Sequence, residues 1–238
     1  MKQLNNAFND NDDALNKLSN PQEYTHLPFP SVLLMPARFD EGKGKDFHFI
    51  GREIFRRLVK AVKDLERGIS YNELWLYGTK GFGKSHLLAA LTCYLLSLKR
   101  RVIFIPDASE TIRDWVATVR KALLFAWANS KKAIDQIMKL DNPRAIIDFI
   151  GANTEDEHGR KVILIIDQMN VLELDGDDNE AKRRDADSWL QSCRSEICSI
   201  MSSSANYRSF IRVSKKERPH RAFYCHGGLT KVSFNKHR

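Results

Sequence analysis

A chain of 238 residues, 42% hydrophobic and 29% charged, can bury one sizeable core and suits one domain with appendages better than two full domains. Its four cysteines, Cys93, Cys193, Cys198 and Cys225, form no C-x-x-C pair, which argues against a disulfide framework and fits reduced or incidental core thiols. The net charge of +8 is uneven: from Ala205 onward stand nine basic residues and one acid, Glu217, so everything before Ala205 is neutral.

Residues 1–48 read as an N-terminal arm, polar, broken by Pro21, Pro28, Pro30 and Pro36, with one short helix near Asp13–Leu18. Met1–Asp13 is rich in Asn and Asp and lacks an apolar core, so it resembles neither a signal peptide nor an anchor. From Gly51 the pattern turns helical: Ile54, Leu58, Ala61, Val62 and Leu65 form one apolar stripe that ends near Gly68. Just before it, Phe49-Ile50-Gly51-Arg52-Glu53 resembles the h-h-G-R-E box of AAA+ and related ATPases, which lies beside the adenine. Gly51 and Arg52 are therefore candidate nucleotide contacts.

Glu73–Tyr77 is a short apolar strand and Lys84–Lys99 a helix. The greasy run Leu87–Leu98 carries Thr92, Tyr94 and Ser97 and is too short to span a bilayer, so it reads as a buried helix and no membrane partner is expected. Between strand and helix, Gly78-Thr79-Lys80-Gly81-Phe82-Gly83-Lys84-Ser85 fits G-x-x-x-x-G-K-[ST]. Its glycines let the loop curl so that backbone N–H groups point inward, and the next helix adds its N-terminal dipole. Lys84 would reach the β- and γ-phosphates, and the Ser85 hydroxyl would coordinate Mg²⁺. His86, next on the helix, is grouped with the loop but reads as a packed core residue. This is a nucleoside triphosphate site, with ATP the preferred nucleotide because no N-K-x-D for guanine follows.

A second strand is expected at Arg101–Pro106, helical stretches at Ser109–Ala128, Lys131–Leu140 and Pro143–Ile150, and a third strand at Lys161–Asp167. Asp167 leaves that strand at its C-terminal end, where open α/β sheets place ligands, and would hold Mg²⁺ with Ser85, directly or through water. The next residue is Gln168, where AAA+ ATPases carry Glu. Glutamine orients water but accepts protons poorly, so Gln168 and Glu173 both stay candidates for the attacking water.

A helix is expected at Ala181–Ser192, a fourth strand at Ile197–Ser202 and a fifth at Ala222–Cys225. Ser202-Ser203-Ser204-Ala205-Asn206 follows, with Asn206 the preferred γ-phosphate sensor and Ser204 the runner-up. Arg208 and Arg212 read better as surface arginines than as transition-state charges. His220, Cys225 and His226 lack zinc-ligand spacing. Trp115, Phe125 and Trp127, at helical spacing, read as core. Apolar runs alternating with helices indicate an α/β fold: a three-layer P-loop NTPase with a mainly parallel five-stranded sheet, AAA+/STAND-like. Its expected bounds are 49–230, with a basic tail at 231–238.

The strings YGTKGFGKSHLLAALTCYLL, RVIFIPDA, ILIIDQMNVLE and SSSANYRS together resemble the NTPase module of Crinkler effectors of oomycetes and some fungi, similar to the retrotransposon hot-spot proteins of trypanosomes. The resemblance implies the Asp-Gln pair as the ordinary form, with Asp167 on Mg²⁺ and Gln168 and Asn170 around the water. It also implies secretion into a host cell, a host nuclear location and a host protein or DNA target. Two departures stand beside it: no LFLAK-type motif occurs near the N-terminus, and the chain stops soon after Gly227-Gly228-Leu229, leaving no room for a nuclease domain.

The expected function is slow, Mg²⁺-dependent ATP hydrolysis that drives or gates a macromolecular interaction, with DNA contacted through the basic segment. Two alternatives stay open: a non-hydrolysing switch or DNA-binding module, and a small-molecule kinase.

Overall fold

Three apolar runs of the sequence, Glu73–Gly78 (β3), Val102–Ile105 (β4) and Ile163–Ile166 (β5), are buried at every residue, as strands covered on both faces must be. The computed structural model describes residues 11–39, 45–68, 73–173, 179–204, 220–225 and 232–234. It joins these strands with Cys198–Ser204 (β6), His220–Cys225 (β7) and Val232–Phe234 (β8) in one sheet, in the order β4-β5-β6-β3-β7-β8. The first five run parallel and are the five expected. The sixth, β8, is antiparallel to β7 and lies in the segment read as a tail.

Side-chain alternation along each strand builds the three layers. Leu74, Leu76, Phe104, Ile163, Ile165 and Ile200 share one core with α2 (Glu53–Glu66) and α3 (Lys84–Ser97). Trp75, Tyr77, Ile103, Ile105, Leu164, Ile166 and Met201 face the other core. That core includes α5 (Trp115–Ala126), α6 (Lys131–Ile137), α7 (Pro143–Ala152) and α8 (Glu180–Glu196). The helical stretch expected at Ser109–Ala128 is two helices. Asp114 turns extended and its carboxylate accepts Ala117 N–H, which ends α4 (Ser109–Arg113) and caps α5.

The arm is more structured than its composition suggests. Asn11–Ser19 is α1, and Tyr24–Pro28 (β1) pairs antiparallel with Asp46–Ile50 (β2), Tyr24 opposite Ile50. Between them Ala37–Phe39 forms a 3₁₀ turn. Ala14, Leu18, Leu27, Phe39, Phe47 and Phe49 of the arm belong to the same core as α2 and α3. Cover from both sheet and arm leaves ten of the fourteen residues of α3 buried, which is why that helix shows no apolar stripe.

Candidate functional site

The C-terminal ends of β3, β5 and β6 open into a cavity of about 560 Å³. Lys80, Gly81, Gly83, Lys84, Ser85 and His86 line it from the loop and the start of α3, and Asp167, Gln168, Asn170 and Ser202 from the strand ends. Arg38 reaches it from the 3₁₀ turn of the arm.

The loop curls as the glycine spacing demands. Gly81 has φ 85° and Gly83, the N-cap of α3, has φ 74°, both in the left-handed region that a side chain resists. Lys84 is buried, and its ammonium donates to Gly78 O at 2.8 Å and Thr79 O at 2.9 Å. Thr79 is exposed and Phe82 half-buried. The first turn of α3 sets backbone N–H groups and a positive dipole end beside Ser85, a donor set suited to an anion.

Asp167 is 1% exposed. Its Oδ1 accepts the Gln168 N–H at 2.9 Å and the Ser202 hydroxyl; its Oδ2 accepts Arg38 Nη2 at 3.0 Å. Arg38 also donates to Pro106 O and, at 3.3 Å, to Asp107 Oδ2. Gln168 has φ 62°. A non-glycine residue held there stores strain, a common mark of a working site. Its amide also reaches Ser202 Oγ at 3.3 Å. A buried carboxylate and a serine hydroxyl at the start of α3, bordering one polar cavity, fit a divalent cation; the loop amides and Lys84 fit a polyphosphate.

The h-h-G-R-E box packs against the arm and the loop, apart from the residues that line the cavity. A Cβ on Gly51 would lie 2.1 Å from Asn20 O and 2.4 Å from Lys17 O, so glycine lets the end of α1 rest on the chain. Arg52 lies behind the loop: Nη1 donates to Phe82 O at 2.6 Å, and the guanidinium packs where a Gly83 Cβ would be. His86 packs against Phe39 with the rings tilted by 36° and centroids 4.6 Å apart, and ties the arm to α3. Glu173 ends a 3₁₀ turn, Met169–Glu173, and its side chain lies outside the described residues, as does Asn206. Sequence reasoning missed Arg38, Asp107 and the specific role of Ser202. Asp107 and Ser202 were findable as the polar residues that end β4 and sit opposite Asp167, whereas nothing in the arm's sequence signals Arg38.

The bacterial DnaA ATPase domain, as a family, matches residues 50–169. The chain belongs to that family. Among curated relatives, it is 28% identical over 110 residues to the chromosomal replication initiator protein DnaA of Anaplasma marginale, covering 44% of this chain and 22% of that protein. It is 23% identical over 175 residues to the DnaA of Wolinella succinogenes, covering 71% and 39%. The chain thus spans well under half the length of these relatives. AMPPCP-bound DnaA from Aquifex aeolicus overlays with a TM-score of 0.38 at 18% identity, over 72% of this chain and 46% of that one.

The DnaA match overturns the Crinkler resemblance. Much of what carried that likeness, the P-loop, the second strand and the strand ending in Asp167, lies inside the DnaA match and encodes the strand–loop–helix geometry that P-loop ATPases share. The expected secretion, host nuclear location and host protein target rested on that likeness alone and fall with it, because the relatives are bacterial replication initiators. Among the described residues no helix is long and apolar enough to cross a membrane.

Proposed function

We propose that this DnaA-type P-loop ATPase domain binds ATP with Mg²⁺ in the cavity beneath α3, hydrolyses it slowly and uses the cycle to control contact with DNA. The observation that supports it best is the convergence of the curled loop, Lys84, Ser85 and the buried Asp167 on one cavity. Lys84 and the loop amides would hold the phosphates; Ser85 and Asp167 would hold the cation, which supplies charge neutralisation at the transferred phosphoryl group. Gln168 would orient water from a backbone position fixed by Asp167 and Ser202, with Glu173 as the other candidate. Gly51 supports the arm, and Arg52 braces the loop rather than the base.

Glutamine after Asp167 favours a second reading, a nucleotide switch with little turnover, since it lacks the basicity of the usual Glu. Phosphate release that is steady in the wild type and lost in Lys84→Ala supports the enzyme. Tight ATP binding without release supports the switch. Phosphate transfer to a metabolite would point instead to a kinase.

The relatives are chromosomal replication initiator proteins, which together with the basic residues beyond Ala205 supports DNA as the partner. Such contact should weaken steeply with salt. DNA binding unchanged after those lysines and arginines are neutralised would refute that assignment.

A further inference from the structure

Asp167 has one oxygen to spare for a cation, and it is engaged. Oδ1 is satisfied by the Gln168 amide and the Ser202 hydroxyl. Oδ2 carries Arg38 Nη2 at 3.0 Å, on a carboxylate that is only 1% exposed. The guanidinium is held on three acceptors at the ends of β4 and β5, Pro106 O, Asp107 Oδ2 and Asp167 Oδ2. Its own turn is pinned by Phe39, which is buried against Phe29, Phe47 and His86. The arm therefore presents a cation at the carboxylate that the cavity needs for metal.

A guanidinium and a divalent ion compete for one buried oxygen, because two like charges a few ångströms apart in a poorly solvated site repel strongly. Direct coordination through Oδ2 therefore favours departure of Arg38 from that oxygen. Phe39 keeps the turn in place, so the change falls on the Arg38 side chain. We propose that Arg38 is a positioning residue that keeps Asp167 closed to metal until a metal–nucleotide complex takes its place, so that the arm sets the metal requirement of the site. The proposal rests on the reading of this cavity as a Mg²⁺–ATP site.

The test titrates Mg²⁺ against binding of a fluorescent ATP analogue to the full chain, in wild type, Arg38→Gln and Arg38→Lys. Losing a charge-assisted hydrogen bond to the carboxylate should lower the half-saturating Mg²⁺ of R38Q by about tenfold. R38K, which keeps the competing charge, should stay within about twofold of wild type. A merely structural role would weaken binding without lowering the Mg²⁺ requirement, so an unchanged or raised half-point in R38Q overturns the proposal.

Should R38Q fold poorly, the wild type decides by NMR of its arginine side chains. Arg38 guanidinium protons that exchange faster once Mg²⁺ joins bound ATP support the proposal, and unchanged exchange overturns it. Wild type that binds no analogue at any Mg²⁺ concentration defeats the ATP reading as well. Binding with no R38Q shift defeats only the role of Arg38.

Discussion

Replacing Gly83 by Ala separates two costs that the loop combines. At φ 74° an alanine pays about 1 kcal/mol for the left-handed backbone. Its Cβ would also lie 2.5 Å from Arg52 Nη2 and 3.0 Å from both Cζ and Nη1. The obstacle is the end of a flexible side chain, so it can retreat, but retreat breaks the 2.6 Å bond from Nη1 to Phe82 O. Arg52 is half-buried, which puts that loss at the low end for a charged donor, about 1.5 kcal/mol. Gly83→Ala should therefore cost about 2.5 kcal/mol in the wild type. With Arg52→Ala already made, the space is open and the bond gone, so the same change should cost only the backbone part, about 1 kcal/mol. Urea unfolding of the four proteins in this cycle, followed by two probes, measures the coupling. Equal costs for Gly83→Ala in both backgrounds would refute the claim that Arg52 braces the loop.

Lys84→Ala removes the ammonium at the loop and should weaken ATP binding by about a hundredfold or more, as equilibrium dialysis would show. Glu73→Ala strands the guanidinium of Arg194, itself 1% exposed and 3.4 Å from Glu73, at a cost of about 3–5 kcal/mol in urea unfolding; exchanging both residues for Leu and Met should recover most of it. Gln168→Gly relieves the φ of 62° and should raise Tm by about 1–3 °C while slowing phosphate release, so a lowered Tm would deny the strain. Burial pushes the thiol of Cys193 up to about 12 and that of Cys198 up to about 11. Both should resist alkylation at neutral pH until the protein unfolds, as peptide mapping by mass would show.

Local chemistry was legible because it obeys local rules. The P-loop needs glycines at Gly81 and Gly83 for backbone conformations other residues resist, so spacing alone reveals it. Unbroken apolar runs report strands buried on both faces, which is how β3, β4 and β5 were found along with the Asp167 that follows them. Edges were less visible. β8 is three residues long; β1 and β2 do alternate, with Leu27, Phe47 and Phe49 inward and His26 and His48 outward, but each is only five residues long and over fifteen residues separate them, so the alternation is too short to stand out.

The charge partners of the site belong to the tertiary structure. Arg38 and Asp167 are 129 positions apart, and Ser202 and Asp167 are 35 apart. No periodicity links them, because their meeting depends on β5 lying beside β6 and on Phe39 seating the arm's turn near α3. Residue spacing along the chain decided that there is a phosphate loop and where its carboxylate stands. That Arg38 meets this carboxylate, and that Gly51 and Arg52 pack the arm and the loop, follow only from burial and strand order, since an ion pair is set by distance in space.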